Sequence, residues 1–298
     1  MRIYLHSDDF GLTNAQAEAL TLLAAEGTVN SVSVLANDER LPEHVLALLN
    51  AAPETRIAVH INFVEGSALL EHDMLPDLTD ERGFFSLSYG KLLIKSLLPG
   101  RRRLLGQLIA EARAQIVAAM YCRLPAAPLS IDTHQHTHAI PIVAKAIAVA
   151  IAESGANVAA VRIPRERLAP YLKHPKTLIK IPPVNFIKRA VLNLLLLRSA
   201  REFRAYPSPE FMGVLMTANV DERGALAVLP DLIKLATRRG KDLESLFHPA
   251  RVADIADCPD PENSVFSAFN LSPRRDEEKA ILRAFAKEIG KLRREGAV

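Results

Sequence analysis

The chain is predicted to be a parallel α/β protein, and three observations carry that prediction. Short apolar segments alternate with helical ones along the whole length of the chain. Apolar residues make up 49% of the 298 residues and charged residues 24%, so a large core can form. Gly is scarce at 13 residues and Trp is absent, which argues against a repetitive all-β chain. Seven strands alternating with helices fit either a closed or nearly closed barrel or a doubly wound open sheet.

The elements follow in order. Arg2 to His6 reads as the first strand, and Asn14 to Glu26 as an Ala- and Leu-rich helix stopped by Gly27. Ser31 to Leu35 is the second strand. Pro42 opens a helix that runs to Ala52, with proline at the position where a missing N–H costs nothing. Arg56 to Ile61 is the third strand, followed by a long loop over 64–90 of the kind that often serves function. Arg101 to Tyr121 is a long amphipathic helix, Leu129 to Thr133 the fourth strand, Pro141 to Glu153 a helix and Ala159 to Ile163 the fifth strand. Residues 165–209 are basic, broken by prolines and partly helical, and read as an insertion within a single domain spanning 1–298. Phe211 to Met216 is the sixth strand, Ala225 to Arg238 a helix and Leu243 to Phe247 the seventh strand. Ser272-Pro273 opens a last helix that reaches about Arg293. No repeat is visible.

Charge and cysteine content narrow the classes. Cys122 and Cys258 are far apart and lack a CxxC partner, which excludes a cysteine-based zinc site and fits a reducing compartment. The N-terminus turns polar at Ser7-Asp8-Asp9 with no apolar leader core, and no run of about 18 apolar residues occurs. A cytoplasmic location is therefore expected. The net charge of +3 hides an asymmetry: from Arg162 to Arg204 eleven Lys/Arg face two Glu. Such an excess fits a solvated helical face or contact with an anionic membrane. Its apolar side also fits a homodimer. Phe186, Phe203 and Tyr206 lie in this segment, but no nucleic-acid module is recognisable, so no nucleic-acid partner is expected.

The chemistry gathers where strands end. Asp8-Asp9, His60 and Asn62, Asp132-Thr-His134-Gln-His136-Thr-His138, Arg162 and His248 each follow a predicted strand. In parallel barrels that end of the strands builds the active site. In an extended segment His134, His136 and His138 would share one face, as a divalent-metal site needs. The bland alternative is a polar loop. Two adjacent carboxylates at a strand end diverge, so one can bind a cation while the other stays free as a base. The alternative there is a helix cap or turn. These residues imply metal-assisted hydrolysis. Asp9, His60 and one cluster histidine would hold the ion, Asp8 would be the general base and His248 the general acid or a further ligand. Arg162 could hold a carboxylate with its planar fork.

Six segments together resemble the YdjC-like carbohydrate deacetylases, the group that includes chitooligosaccharide deacetylase and the hopanoid-associated HpnK proteins. They are His6-Ser-Asp-Asp-Phe-Gly-Leu12, Asn30-Ser-Val-Ser-Val-Leu-Ala-Asn37, Val59-His-Ile-Asn-Phe-Val-Glu-Gly66, Ile131-Asp-Thr-His-Gln-His-Thr-His138, Val161-Arg-Ile-Pro164 and Phe247-His-Pro249. The resemblance implies a distorted (β/α) barrel related to polysaccharide deacetylases. It implies one divalent ion, magnesium or zinc, on Asp9, His60 and His134, with Asp8 as base, Arg162 orienting it and His248 as acid. Asn37, Asn62, Glu65, His136 and His138 are the expected substrate contacts within the same motifs. The expected reaction is removal of acetyl from an N-acetylated sugar, either an oligosaccharide or a lipid-linked one. Another metallohydrolase, such as a phosphoesterase or amidohydrolase, and a catalytically silent sugar-binding barrel are the alternatives.

Overall fold

The computed structural model describes residues 1–122, 128–217, 221–258, 260 and 263–296. Seven strands form one parallel sheet, and the order across it is β5-β4-β3-β2-β1-β7-β6. They are β1 (Ile3–Phe10), β2 (Ser31–Val34), β3 (Arg56–Ile61), β4 (Leu129–Thr133), β5 (Val158–Val161), β6 (Glu210–Met212) and β7 (Leu243–Phe247). The sheet curls into a half-barrel. Its two edges approach where the chain runs on past β5: Val161 N–H donates to Pro207 O at 3.1 Å, and Glu166 bridges to Phe211 in parallel register. The result is a distorted (β/α) barrel, as the family resemblance implied, and not the doubly wound open sheet that the element pattern also allowed.

The helices are α1 (Asn14–Ala25), α2 (Leu41–Ala51), α3 (Tyr89–Lys95), α4 (Arg101–Tyr121), α5 (Pro141–Ser154), α6 (Ala169–Leu172), α7 (Pro175–Leu178), α8 (Pro183–Ser199), α9 (Glu222–Arg238), α10 (Ser264–Asn270) and α11 (Arg274–Arg294). Their starts follow local chemistry. The Thr13 side chain accepts from Gln16 N–H at α1, Asp221 accepts from Gly224 N–H at α9, and prolines open α2, α5 and α8. Helix α5 ends on Gly155 at φ 68°, a left-handed position that glycine takes without strain. Helices α3 and α10 were not foreseen. Both are short, so neither builds up a long periodic signal.

The strands carry a period of two that explains the site. Parallel sheets buried on both faces usually read as continuous apolar runs. Here β2 reads Ser-Val-Ser-Val, and every one of its residues is buried. Outward-facing residues such as Leu5, Val32, Ile57 and Leu243 join one apolar cluster with α1, α2, α9 and α11. Val59 and Ile131 join a second with α4 and α5. The inward positions hold His6, Ser33, His60, Asp132 and Glu244, all buried. Most of the apolar core thus lies outside the barrel, between sheet and helices, and the interior holds the polar groups beside a smaller cluster that includes Phe211 and Leu246.

Two strands, β1 and β6, differ most from expectation, while β5 runs Val158–Val161 rather than Ala159 to Ile163 and β2 stops at Val34 rather than Leu35. β1 runs to Phe10 rather than His6. Between Ser7 and Phe10 its register against β2 shifts, so that Ser7 pairs with Val32 but Phe10 pairs with Val34. This bulge contains Asp9 at φ 67°. β6 stops at Met212 because the chain leaves at Gly213, where an added Cβ would lie 2.8 Å from Phe211 Cζ and 2.9 Å from Leu246 Cβ. The basic segment 165–209 holds α6, α7 and α8. No helix among the described residues is long and apolar enough to cross a membrane.

Candidate metal and catalytic site

The bulge in β1 makes the site possible. Alternation alone would send Asp8 inward and Asp9 outward. The extra residue, with Asp9 in the left-handed region, turns the second carboxylate back toward the barrel mouth. Such a conformation costs a non-glycine residue roughly 1–3 kcal/mol. Gly11 closes the turn at φ +87°, where a Cβ would come within 2.6 Å of Asp38 Oδ2. The two aspartates then face different partners.

Asp8 belongs to a closed network on the barrel axis. Arg162, fully buried, grips it with both terminal nitrogens, Nη1 to Oδ2 at 3.0 Å and Nη2 to Oδ1 at 2.9 Å. Nη2 also lies 2.9 Å from Asp132 Oδ2, and Nε donates to Glu244 Oε1 at 2.5 Å. Below them Arg56 donates to the other Glu244 oxygen at 2.6 Å. His6 Nε2 lies 3.0 Å from Asp8 Oδ1 and 2.8 Å from Ser33 Oγ, and Ser33 donates to Asp132. Burial alone would push the Asp8 carboxyl up. Arg162, and after it His60 and His6, hold it well below the usual carboxylate range. Asp8 is therefore ionised at neutral pH.

Asp9 belongs to an open group. Its Oδ1 lies 3.1 Å from His134 Nδ1 and 3.6 Å from His60 Nε2. The two ring nitrogens are 3.3 Å apart. Outer partners set both tautomers. His60 Nδ1 donates to Asp132 Oδ1 at 2.6 Å, and His134 Nε2 donates to Glu65 Oε2 at 2.5 Å, so each ring turns its other nitrogen toward Asp9. Asp9 Oδ2 is taken by Arg275 Nη2 at 3.2 Å, whereas Oδ1 is buried without a hydrogen-bond partner. One carboxylate oxygen and two imidazole nitrogens thus converge on one point, as a divalent ion requires. The charge count agrees. Asp8, Asp9, Glu65, Asp132 and Glu244 meet Arg56, Arg162 and Arg275, two more carboxylates than guanidiniums.

Two groups among the described residues have metal-ligand composition, Asp9–His60–His134 and His6–Asp8–Asp132. The second is already satisfied by the Arg162 guanidinium, a resident cation. The first carries the orphaned oxygen. Against burial, the Glu65 and Asp9 carboxylates raise His134 to about 10, so a divalent ion must compete with a proton there.

The other predicted residues are placed as follows. His134, His136 and His138 do not share a face: the segment is not extended, because Gln135 and His136 adopt φ of 52° and 56°. His134 alone joins the triad. His136, half-buried, packs edge-on to Phe211 with centroids 5.4 Å apart, and burial and then Arg162 lower it to about 3. His138 is buried against Thr133 and Phe203, and burial lowers it to about 4. Asn62 is buried, and its Oδ1 accepts from Val64 and Glu65 N–H, which shapes the loop that carries Glu65. Glu65 is bound by His134 and by Gln135 Nε2 at 2.6 Å. Asn37 reaches Ser67 O at 2.8 Å and is half-buried. His248 ends β7 beside β1. Its Nδ1 is 3.4 Å from Glu278 Oε2, and although burial opposes protonation, Glu278 and Asp9 raise its pKa.

Sequence reading missed Glu244, Arg275 and Glu278. Glu244 had a signal, an acidic residue inside the apolar strand Leu243–Phe247. Arg275 and Glu278 also had one: they lie in register with Leu282, Phe285 and Ile289 along the buried face of α11, where charge is unexpected.

A family model described as YdjC-like protein matches residues 2–286. A carbohydrate deacetylase of Vibrio parahaemolyticus is 29% identical over 147 residues, 49% of this chain and 55% of that protein. One from Mus musculus is 31% identical over 170 residues, 56% of this chain and 52% of that protein. A chitooligosaccharide deacetylase of Escherichia fergusonii is 28% identical over 166 residues, 55% of this chain and 60% of that protein. Each match spans roughly half of the relative's length. In structure, a chain from Enterococcus faecalis V583 described as a cellobiose-phosphate cleavage protein superimposes with a TM-score of 0.64. It covers 100% of this chain and 95% of its own at 18% identity, a likeness of fold alone.

Proposed function

The chain belongs to the YdjC-like protein family, and on that footing we propose that it is a metal-dependent amide hydrolase that removes acetyl from an N-acetylated amino sugar. The observation that carries the proposal is the orphaned Asp9 Oδ1 facing His60 Nε2 and His134 Nδ1, beside an ionised Asp8. Asp9, His60 and His134 would hold a divalent ion there, and when bound it would supply Lewis acidity to the amide carbonyl and to water. Two imidazoles with one carboxylate suit zinc better than magnesium, which prefers an all-oxygen set.

Asp8 accepts the proton of the attacking water as general base. Its grip by Arg162 fixes the carboxylate plane and keeps it ionised, while Asp132 orients His60 from behind. His248, with its pKa raised beside Glu278, holds a proton for the departing amine. Glu65 acts through His134, and Asn62 acts through the Glu65 loop. Asn37 and His136 stay half-buried and are the stronger candidates for touching the sugar. His138, buried, supports the mouth from below.

The test is acetate release from N-acetylglucosamine, chitobiose, a nucleotide sugar and a lipid-linked N-acetylhexosamine. Each is assayed after chelation and again with zinc, magnesium, manganese or cobalt restored. Metal-restored release from a panel member supports the proposal. No release with one ion demonstrably bound per chain removes it. Two bound ions per chain would favour a phosphoesterase instead.

A further inference from the structure

Helix α8 is apolar on two opposite faces, and the protein covers one of them. On the inner side Leu192 and Leu196 are buried with Ala139, Phe211, Val214 and Leu246. Asn185 Nδ2 donates to Leu215 O, and Arg189 Nε to Glu166 O, which fixes the helix against the barrel. On the outer side Val184, Ile187, Val191 and Leu194 recur at helical spacing and are 41–67% exposed. A helix that is hydrophobic all round is normally enclosed. Helix α3 adds to the same character. Its first residue, Tyr89, packs on the inner cluster of α8, while Ile94, and Leu97 and Leu98 just beyond its end, are exposed. Five of the eighteen exposed large apolar side chains among the described residues, Val184, Ile187, Val191, Leu194 and Leu197, fall on this one helix, α8.

The charges around the stripe choose its partner. Within the basic segment Arg162, Arg167, Lys173 and Lys180 are taken by Asp8, Glu210, Asp231 and Asp221. Lys188, Arg198, Arg201 and Arg204 are exposed and have no carboxylate partner among the described residues. On the helical projection Arg198 continues the apolar stripe and Lys188 borders it. A twofold contact between copies would bring these cations face to face. An anionic lipid surface satisfies both features, acyl chains for the stripe and headgroups for the cations.

We propose that the outer face of α8 docks on anionic membranes. The inner face of the same helix packs on Ala139 and Phe211, next to His136. Docking therefore sets the barrel mouth beside the lipid surface.

Vesicle flotation tests this with the full chain. The probes are vesicles of pure phosphatidylcholine and of phosphatidylcholine with about 30% phosphatidylglycerol, at low and high salt. Binding is expected on the anionic vesicles at low salt, with release at high salt. Lys188→Glu with Arg198→Glu is expected to lower partitioning by at least about 25-fold, near fivefold per cation. Leu194→Glu, at an exposed position, should abolish binding and leave thermal stability and acetate release from a soluble substrate unchanged. No flotation with anionic vesicles at low salt overturns the proposal, as does equal flotation with pure phosphatidylcholine. So does a dimer in sedimentation velocity that Leu194→Glu dissociates without any vesicle binding.

Discussion

Asp8 and Asp9 are neighbours in sequence, both buried, and each sits in a group of histidine and aspartate side chains. Around Asp8 a guanidinium already fills the centre, and every carboxylate oxygen of the aspartate is used. Around Asp9 one oxygen has no partner and two imidazoles turn their free nitrogens toward it. Composition does not separate the two groups, but hydrogen-bond satisfaction does. A buried polar atom without a partner in an otherwise satisfied network marks where a ligand is required.

The sharpest way to break this comparison is to remove each carboxylate in turn. Asp9→Ala is expected to abolish stoichiometric zinc binding by calorimetry. Asp8→Asn is expected to keep the ion and lose turnover by about 10²–10⁴-fold, the range for a general base. If Asp8→Asn instead released the metal, the division of roles would be wrong. Next in size is Arg162→Met. It leaves Asp8, Asp132 and Glu244 buried without their cation and should cost about 3–5 kcal/mol in denaturant unfolding. A cost under 1 kcal/mol would mean that the axial network is solvated. Arg275→Met acts on the open group from outside and should weaken zinc affinity by about 10–100-fold with the fold intact.

The smallest expected effect is the acid response. Burial opposes ionisation of Asp8, Asp132 and Glu244, yet Arg162 holds all three below their usual range. Depressed folded values contribute stability that is full above the unfolded values near 3.9–4.3 and is lost as pH falls below them. The melting temperature should therefore stay level in this respect from pH 7 to 5 and drop below about pH 4. A melting curve unchanged at pH 3 would contradict the pairing.

Much of this was legible in the residues. Strands β3, β4 and β7 and helix α4 carry the bounds that their apolar periodicity announced. The convergence of Asp9, His60 and one histidine of the 134–138 cluster followed from placing each at a strand end, and the choice of His134 came from the family resemblance alone. Backbone conformation was not legible. The first strand was expected to end at His6 with Asp8-Asp9 diverging beyond it, and only the bulge turns both carboxylates inward. The three histidines looked coplanar because their spacing fits an extended chain, and left-handed Gln135 and His136 scatter them. Long-range partners stayed hidden for a different reason. Arg275 meets Asp9 across 266 residues, and spacing patterns report only local neighbours.

That last contact bears on the order of events during synthesis. Asp9, His60 and His134 all emerge in the first half of translation, and β1 to β4 can pair while the ribosome is still at work. Arg275 and Glu278, which steady Asp9 and His248, arrive with the final helix. The three residues of metal-ligand composition thus all precede, by more than a hundred residues of sequence, the helix whose Arg275 holds Asp9 in place.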